Sequence, residues 1–403
     1  MGTGLSGSEN REMFGKIIRW AIDALKRIVE WIFYLCPIKT NKILLINFNG
    51  RGYGCNPKYI AQEILDQKLD YDLVWLVRDP EAVFPEGIRK VPYKSIRALY
   101  EVATAKVIIT NVKNDLRLIK KKEQYVIQTW HGSYSAKLLE REAEGKLSPD
   151  YLAESKKNSV QTDLFLSNSR ILSQCYRDAF WCRCEIMECG FPRNDMLFSR
   201  DPARVDRIKE TLGCPATAQL VLYAPTFRDN GSLEAYSIDC LGVLRTLRKN
   251  GDDWKLLTRL HPNVGGCGTL FPADENIINA NAYPDMQELL LASDILITDY
   301  SSTPFEFAAM QKQVYIYAPD IQEYQRIRGL KEDFFRMPYR ICKTNGELLA
   351  LIDRYSPEGA RAEAEQFMER FGGVDQGDAS KQVVERVKQI MSIRVENRRD
   401  MSE

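Results

Sequence analysis

The sequence predicts an α/β chain of two halves, each an open parallel sheet covered by helices, with a ligand cleft between them. Three observations predict it. At 403 residues the chain is too long for one ordinary domain, and its 44% hydrophobic and 28% charged content is ordinary globular usage. From residue 42 onward, short β-rich runs alternate with helical patterns, and the alternation restarts after residue 219. Ahead of the first run lies a strongly amphipathic segment that belongs to neither sheet.

The amphipathic segment covers residues 11–35. At 100° per residue, Phe14, Ile17, Ile18, Ala21, Ile22, Leu25, Ile28, Val29, Ile32 and Phe33 fall in one arc of about 160°. Lys16, Arg19, Asp23, Lys26, Arg27 and Glu30 fall opposite, and Trp20 and Trp31 share a border between the faces. Pro37 ends the helix. The border tryptophans and the basic excess predict a helix lying in an anionic membrane surface. The alternative is a helix packed on the protein's own core or on a second subunit. The first nine residues, MGTGLSGSE, read as a leader outside the fold.

In the first half the expected strands are 42–49, 71–77, 106–111, 125–130, 163–169 and 184–190. Helices are expected at 57–65, at 96–105 and from about Ala136. In the second half they are 219–226, 254–262, 275–280, 294–300 and 314–320, with helices around 238–250, 285–292 and 304–311. A polar helix in DPARVDRIKETLG joins the halves. The expected domains are a leader and helix at 1–37, a first half at 38–200 and a second half at 201–403. Two Rossmann-like sheets in one chain place a cleft at the carboxyl ends of their strands, the arrangement called GT-B.

Composition narrows the function. Lys and Arg number 56 against 55 Asp and Glu, so no basic field argues for nucleic acid. No apolar run reaches the roughly 18 residues a membrane span needs. No signal peptide is expected, because the first apolar stretch is laced with charge. Ten cysteines are present. The cluster Cys175, Cys182, Cys184 and Cys189 lacks paired CxxC spacing and has no histidine near it, so free thiols in a reducing cytosol are expected.

The chemistry-bearing residues fall at strand ends. The chain has two histidines, His131 in QTWHGS and His261 in TRLHPN, and each directly follows a strand, one in each half. A satisfied loop histidine is the bland reading of either one. In DILITDYSSTPFEFAAM (294–310) a buried strand ends at Asp299, and Thr303, Pro304 and Glu306 read as a capping box. Ser301 and Ser302 add hydroxyls beside that helix start, which suits phosphate. GFPRND (190–195) and APTFRD (224–229) offer Arg193 and Arg228, whose forked donors match phosphate oxygens, or the carboxylate of a neighbouring Asp. FNGRGYGCNP misses GxGxxG at Cys55, and Asn56-Pro57 reads as a helix cap and first turn. GxxxxGK[ST] and HExxH are absent from the sequence.

Taken together, QTWHG, GFPRNDML, LYAPTFRD, the HP after a strand, DILITDYSSTPFEFA, RGL (328–330) and QGDASK (376–381) resemble the CDP-glycerol glycerophosphotransferases of wall teichoic acid synthesis over roughly residues 40–390. The resemblance implies a GT-B fold and transfer of glycerol phosphate from CDP-glycerol to a hydroxyl of a lipid-linked polyprenyl-diphosphate saccharide acceptor, with release of CMP. It also implies a peripheral enzyme at the inner face of the plasma membrane. The chain departs from the family at Ser133-Tyr134-Ser135-Ala136-Lys137, where TPLK commonly follows WHG, and at Glu306, where FDFA is usual. The segment at 133–137 is expected to face the acceptor.

On this resemblance His131 is the expected general base, and His261 and Arg259 contact the donor diphosphate. Ser301, Ser302 and Thr303 hold phosphate oxygens, with Arg193 and Arg228 as electrostatic contacts. No obligatory cofactor or metal is expected; a loosely bound Mg²⁺ would have Asp299 as its one candidate carboxylate. Glycerol or ribitol donor, primase or polymerase, and monomer or homo-oligomer stay open. The rivals are a nucleotide-sugar glycosyltransferase and a non-catalytic subunit that only binds polymer or membrane.

Overall fold

A computed structural model describes residues 28, 31–113, 120–199, 201–260, 264 and 270–392. The expected leader, most of the 11–35 helix and His261 lie outside the described residues.

The first half is a seven-stranded parallel sheet built from β1 (Lys39–Ile46), β2 (Asp72–Val77), β3 (Ile88–Pro92), β4 (Ala105–Thr110), β5 (Tyr125–Gln128), β6 (Leu164–Ser167) and β7 (Glu185–Glu188), in the order β3-β2-β1-β4-β5-β6-β7. The second half is a six-stranded parallel sheet of β8 (Gln219–Tyr223), β9 (Trp254–Thr258), β10 (Ile277–Asn279), β11 (Ile295–Thr298), β12 (Gln313–Tyr317) and β13 (Ile341–Cys342), in the order β10-β9-β8-β11-β12-β13. Strands such as Ile43–Ile46, Val107–Ile109 and Ile295–Ile297 are fully buried, as strands covered on both faces must be. Every crossover returns a strand's carboxyl end to the same rim, so the loops after β1, β4, β5 and β6 gather beside those after β8 and β11.

Several elements differ from expectation. The chain after β5 does not enter a helix at Ala136. Residues 136–138 instead pair in extended form with 329–331 of the second half, through Lys331 N–H to Ala136 O at 2.8 Å and Leu138 N–H to Gly329 O at 3.3 Å. The helix waits until Pro149–Gln161, where Ser148 caps it and Pro149 opens it. β3 and β13 are short edge strands with little apolar content to announce them. The helices Asn345–Ile352 and Pro357–Phe371 carry side-chain caps from Thr344 and Ser356, and the second ends at Gly372 with φ of +64°.

The end of the chain crosses from the second half to the first. The last helix, Ala379–Ser392, packs on the helix Cys55–Asp66 and the 3₁₀ turn Pro192–Phe198 of the first half. Asp195 of GFPRND accepts the Ala379 and Ser380 N–H groups at 2.9 and 2.7 Å. The motif pair GFPRND and QGDASK is thus a tail latch: one carboxylate satisfies two orphan N–H donors where the last helix starts.

Candidate active site

His131 stands three residues past the end of β5. Its Nδ1 lies 2.7 Å from the carbonyl oxygen of Asn111, which follows β4. A carbonyl only accepts, so Nδ1 carries the proton and Nε2 carries the lone pair. Trp130 lies against the imidazole at 4.3 Å between centroids, and Phe48 meets it edge-on at 5.2 Å. Burial among these rings lowers the pKa to about 4; the bond to Asn111 opposes the shift, and Arg193 and Lys137 add to it. The ring is therefore neutral at pH 7 and able to accept a proton.

The loop that carries His131 is held by asparagines that composition does not flag. Asn56 Nδ2 donates to the carbonyls of Thr129 (3.1 Å) and Trp130 (3.0 Å), and its Oδ1 accepts the Arg193 N–H at 3.1 Å. Asn56 therefore does not cap its helix, whose N-cap position is Gly54. Asn111 accepts the Phe48 N–H at 2.8 Å and donates to Asn47 at 2.8 Å. Asn168, after β6, donates to Ser133 Oγ and to Asp375 Oδ2, both at 2.8 Å. Asn47, Asn111 and Asn168 each follow a strand's carboxyl end, and that position is the signal by which they are found; Asn56 lies in the first turn of its helix and gives no such signal.

Across the cleft lies the turn after β11. Ser301, Ser302 and Thr303 are half-buried, and Thr303 N–H donates to Ser301 Oγ at 3.3 Å. The helix Thr303–Ala309 has Ser302 at its N-cap position with no side-chain cap. Glu306 is not part of a capping box. It is fully buried and paired with Arg193 of the first half, and burial raises its pKa against the pull of that arginine. Gly132 faces this turn: a β-carbon built on it would lie 2.9 Å from Ser302 Oγ. A larger residue after the histidine would have to displace that hydroxyl.

Arg193 and Arg228 do not present free guanidinium groups to the cleft. Arg193 donates to His131 O at 2.7 Å and pairs with Glu306, which makes it a positioning group for the histidine loop. Arg228 donates to Asp320 Oδ2 at 2.6 Å, Asp299 Oδ2 at 2.7 Å and Thr226 O at 2.7 Å. Asp299 also accepts the N–H groups of Thr226 (2.8 Å) and Tyr300 (2.7 Å), so its oxygens are committed to the protein. Neither guanidinium pairs with the Asp next to it in sequence; Asp229 pairs with Arg328. Arg259, one residue past β9, donates to the carbonyls of Ala280 and Asn281 and has no carboxylate partner among the described residues; burial alone lowers its pKa. No group of three or more His, Cys, Asp or Glu able to hold a metal occurs among the described residues. Ser133, Tyr134, Ser135 and Ala136 are buried, so four of the five residues of the segment expected to face the acceptor face protein.

Two parallel sheets meeting along their carboxyl rims, with a neutral histidine on one rim and a hydroxyl-rich turn on the other, define a GT-B-type transferase. The family model for CDP-glycerol:poly(glycerophosphate) glycerophosphotransferase matches residues 28–389. The chain belongs to this family of enzymes. It is 30% identical over 390 residues to a teichoic acid poly(glycerol phosphate) polymerase of Bacillus spizizenii, covering 93% of this chain and 99% of that one. It is also 30% identical over 366 residues to the polymerase of the same name from Staphylococcus epidermidis, covering 86% of this chain but spanning only 50% of that protein's length. Among solved structures, a variant of the wall teichoic acid polymerase TagF soaked with CDPG superposes with a TM-score of 0.80 at 27% identity, covering 94% of this chain and 98% of that one.

Proposed function

We propose that the protein transfers glycerol phosphate from CDP-glycerol to a hydroxyl of a lipid-linked, teichoic acid type acceptor and releases CMP. The observation that carries the reading is the neutral His131, held at Nδ1 by Asn111 with no partner on Nε2 among the described residues, one residue from the glycine that packs on Ser302. Family membership and the CDPG complex of TagF support the donor.

In this reading the acceptor oxygen attacks the phosphorus that bears glycerol. A new P–O bond forms, the P–O bond to CMP breaks, and the acceptor proton passes to His131 Nε2. Such a base contributes about 10² to 10⁴ in rate. Its pKa near 4 rises when a diphosphate arrives, because nearby negative charge favours the imidazolium. Ser301, Ser302 and Thr303 hydrogen-bond phosphate oxygens, and Arg259 with His261 offsets the charge of the departing CMP. Arg193 and Arg228 act indirectly, by fixing the histidine loop and the loops after β8 and β11.

We also infer a peripheral site on the cytoplasmic face of the membrane, where a nucleotide donor and a lipid-linked acceptor meet. No helix among the described residues is long and apolar enough to cross a membrane. The described end of the amphipathic segment leaves Ile28, Trp31, Ile32 and Leu35 exposed at 57, 58, 56 and 82%, while Phe33 turns inward onto Tyr100. That pattern suits a helix whose outer face meets lipid.

Calorimetry with CDP-glycerol tests the phosphate contacts. The Ser301→Ala, Ser302→Ala double variant should bind the donor at least fivefold more weakly than the parent; equal affinity would remove that turn from the donor site.

A further inference from the structure

Lys137 lies in the seam where residues 136–138 pair with 329–331, six residues after His131. Its side chain is half-buried. Among the described residues its ammonium forms no ion pair, although carboxylates lie close by. Each of these carboxylates already has its own cation: Asp299 is held by Arg228 and Asp229 by Arg328. The other lysine of the seam, Lys331, is buried and matched to Glu142 at 2.8 Å. Lys137 therefore stands apart as a cation placed in a closed, partly desolvated seam without a matched carboxylate. That arrangement costs free energy unless an anion completes it.

Its position says which anion. Lys137 pairs with Leu330, two residues from Arg328, whose guanidinium binds Asp229 in the loop after β8; the seam thus sets the ammonium beside the interval between the two rims, within electrostatic reach of His131 on one half and of Asp299 and Arg228 on the other. The donor's transferred phosphoryl group must occupy that interval, because the acceptor hydroxyl has to reach both His131 and the phosphorus.

We propose that Lys137 is a catalytic residue that holds the non-bridging oxygens of the phosphoryl group in flight. This rests on the transferase reading above. A point charge on a four-carbon stem can follow those oxygens as the phosphorus moves from CMP to the acceptor, and no bond to the lysine forms or breaks. Burial lowers its pKa, and Arg328 adds to that; the incoming anion reverses both effects.

The test compares the full chain with Lys137→Gln and Lys137→Arg by CMP release, by calorimetry with inorganic pyrophosphate and by thermal midpoint. Lys137→Gln should lose at least 100-fold in kcat and at least fivefold in pyrophosphate affinity, with its midpoint unchanged, since its amine holds no protein group. Lys137→Arg should recover part of both. The acid limb of kcat/KM should move to higher pH in Lys137→Gln, because a cation that holds His131 neutral is gone; a merely structural lysine would leave that limb in place. A wild-type chain that releases no CMP yet binds pyrophosphate through Lys137 would sink the donor assignment and support the anion site. A folded Lys137→Gln with more than a third of wild-type turnover and unchanged pyrophosphate affinity would overturn the proposal.

Discussion

Gly132 and Ser302 meet across the cleft so closely that a β-carbon on the glycine would lie 2.9 Å from the serine oxygen. This contact sets the Ser302 hydroxyl beside the backbone that follows His131. A Gly132→Ala protein should fold, since Ser302 is half-buried and its hydroxyl can rotate away. The turned hydroxyl no longer faces the donor phosphate it is proposed to hold, and loss of a positioned hydrogen bond weakens donor binding. We expect turnover to fall by about one order of magnitude and Ser302→Gly in the same chain to cost little more. Steady-state kinetics of the single and double variants check this.

His131 should set an unusual pH profile. With its folded pKa near 4 against an ordinary 6.5, the base is already neutral across the range where free histidine titrates. The kcat/KM profile, which reports the free enzyme, should stay flat down through pH 6.5 and fall only toward pH 4. The kcat profile, which reports the donor complex, should break at higher pH. The same shift contributes stability that is complete above 6.5 and is lost as pH falls toward 4, because the unfolded chain takes up the proton first. His131→Ala should reduce turnover at least 100-fold, leave CDP-glycerol affinity within a few-fold, and remove the acid limb.

Arg193 and Glu306 form a buried ion pair between the halves. Breaking one side leaves an unpaired buried charge, which typically costs about 3–5 kcal/mol. Arg193→Ala should therefore lower the thermal midpoint by several degrees, and the Arg193→Met, Glu306→Leu double variant should recover much of that loss. Activity should stay low in both, because Arg193 also holds the His131 carbonyl. Calorimetric melting of the three proteins checks the first point and CMP release the second.

The fold was largely legible because parallel strands covered on both faces read as continuous apolar runs: KILLI, KVIIT and DILIT all became buried strands. The histidine at a strand end and the serine turn were legible for the same reason, since strand ends mark the cleft rim. Pairings were not. Arg193, Arg228 and Glu306 were visible as residue types, but their partners lie 71 to 113 positions away and no local pattern reveals them. Segment 133–137 looked available for the acceptor because nothing in it signals an extended pairing with RGL. The return of the last helix to the first half was equally hidden, although its latch, Asp195 with 379–380, lies inside two motifs noted for other reasons.

The amphipathic segment should tether the enzyme without carrying its chemistry. Deleting residues 1–36 should release the protein from phosphatidylglycerol vesicles and leave transfer to a short soluble acceptor within a few-fold. Transfer to a lipid-linked acceptor should drop about tenfold or more as local concentration is lost. Raised salt should loosen the full chain, since charge on the basic face is screened over about 8–10 Å. Vesicle flotation reads the result; a truncated protein that still floats would put the anchor elsewhere, and one that unfolds would mean the helix packs on protein.

The most direct test of the transferase reading is CMP release from a donor panel of CDP-glycerol, CDP-ribitol and a UDP-sugar, each with a lipid-linked glycerol phosphate acceptor. We expect CMP from CDP-glycerol, lost in His131→Ala, with no turnover of the UDP-sugar. UDP release from the sugar nucleotide with none from CDP-glycerol, or equal CMP release by wild type and His131→Ala, would contradict it.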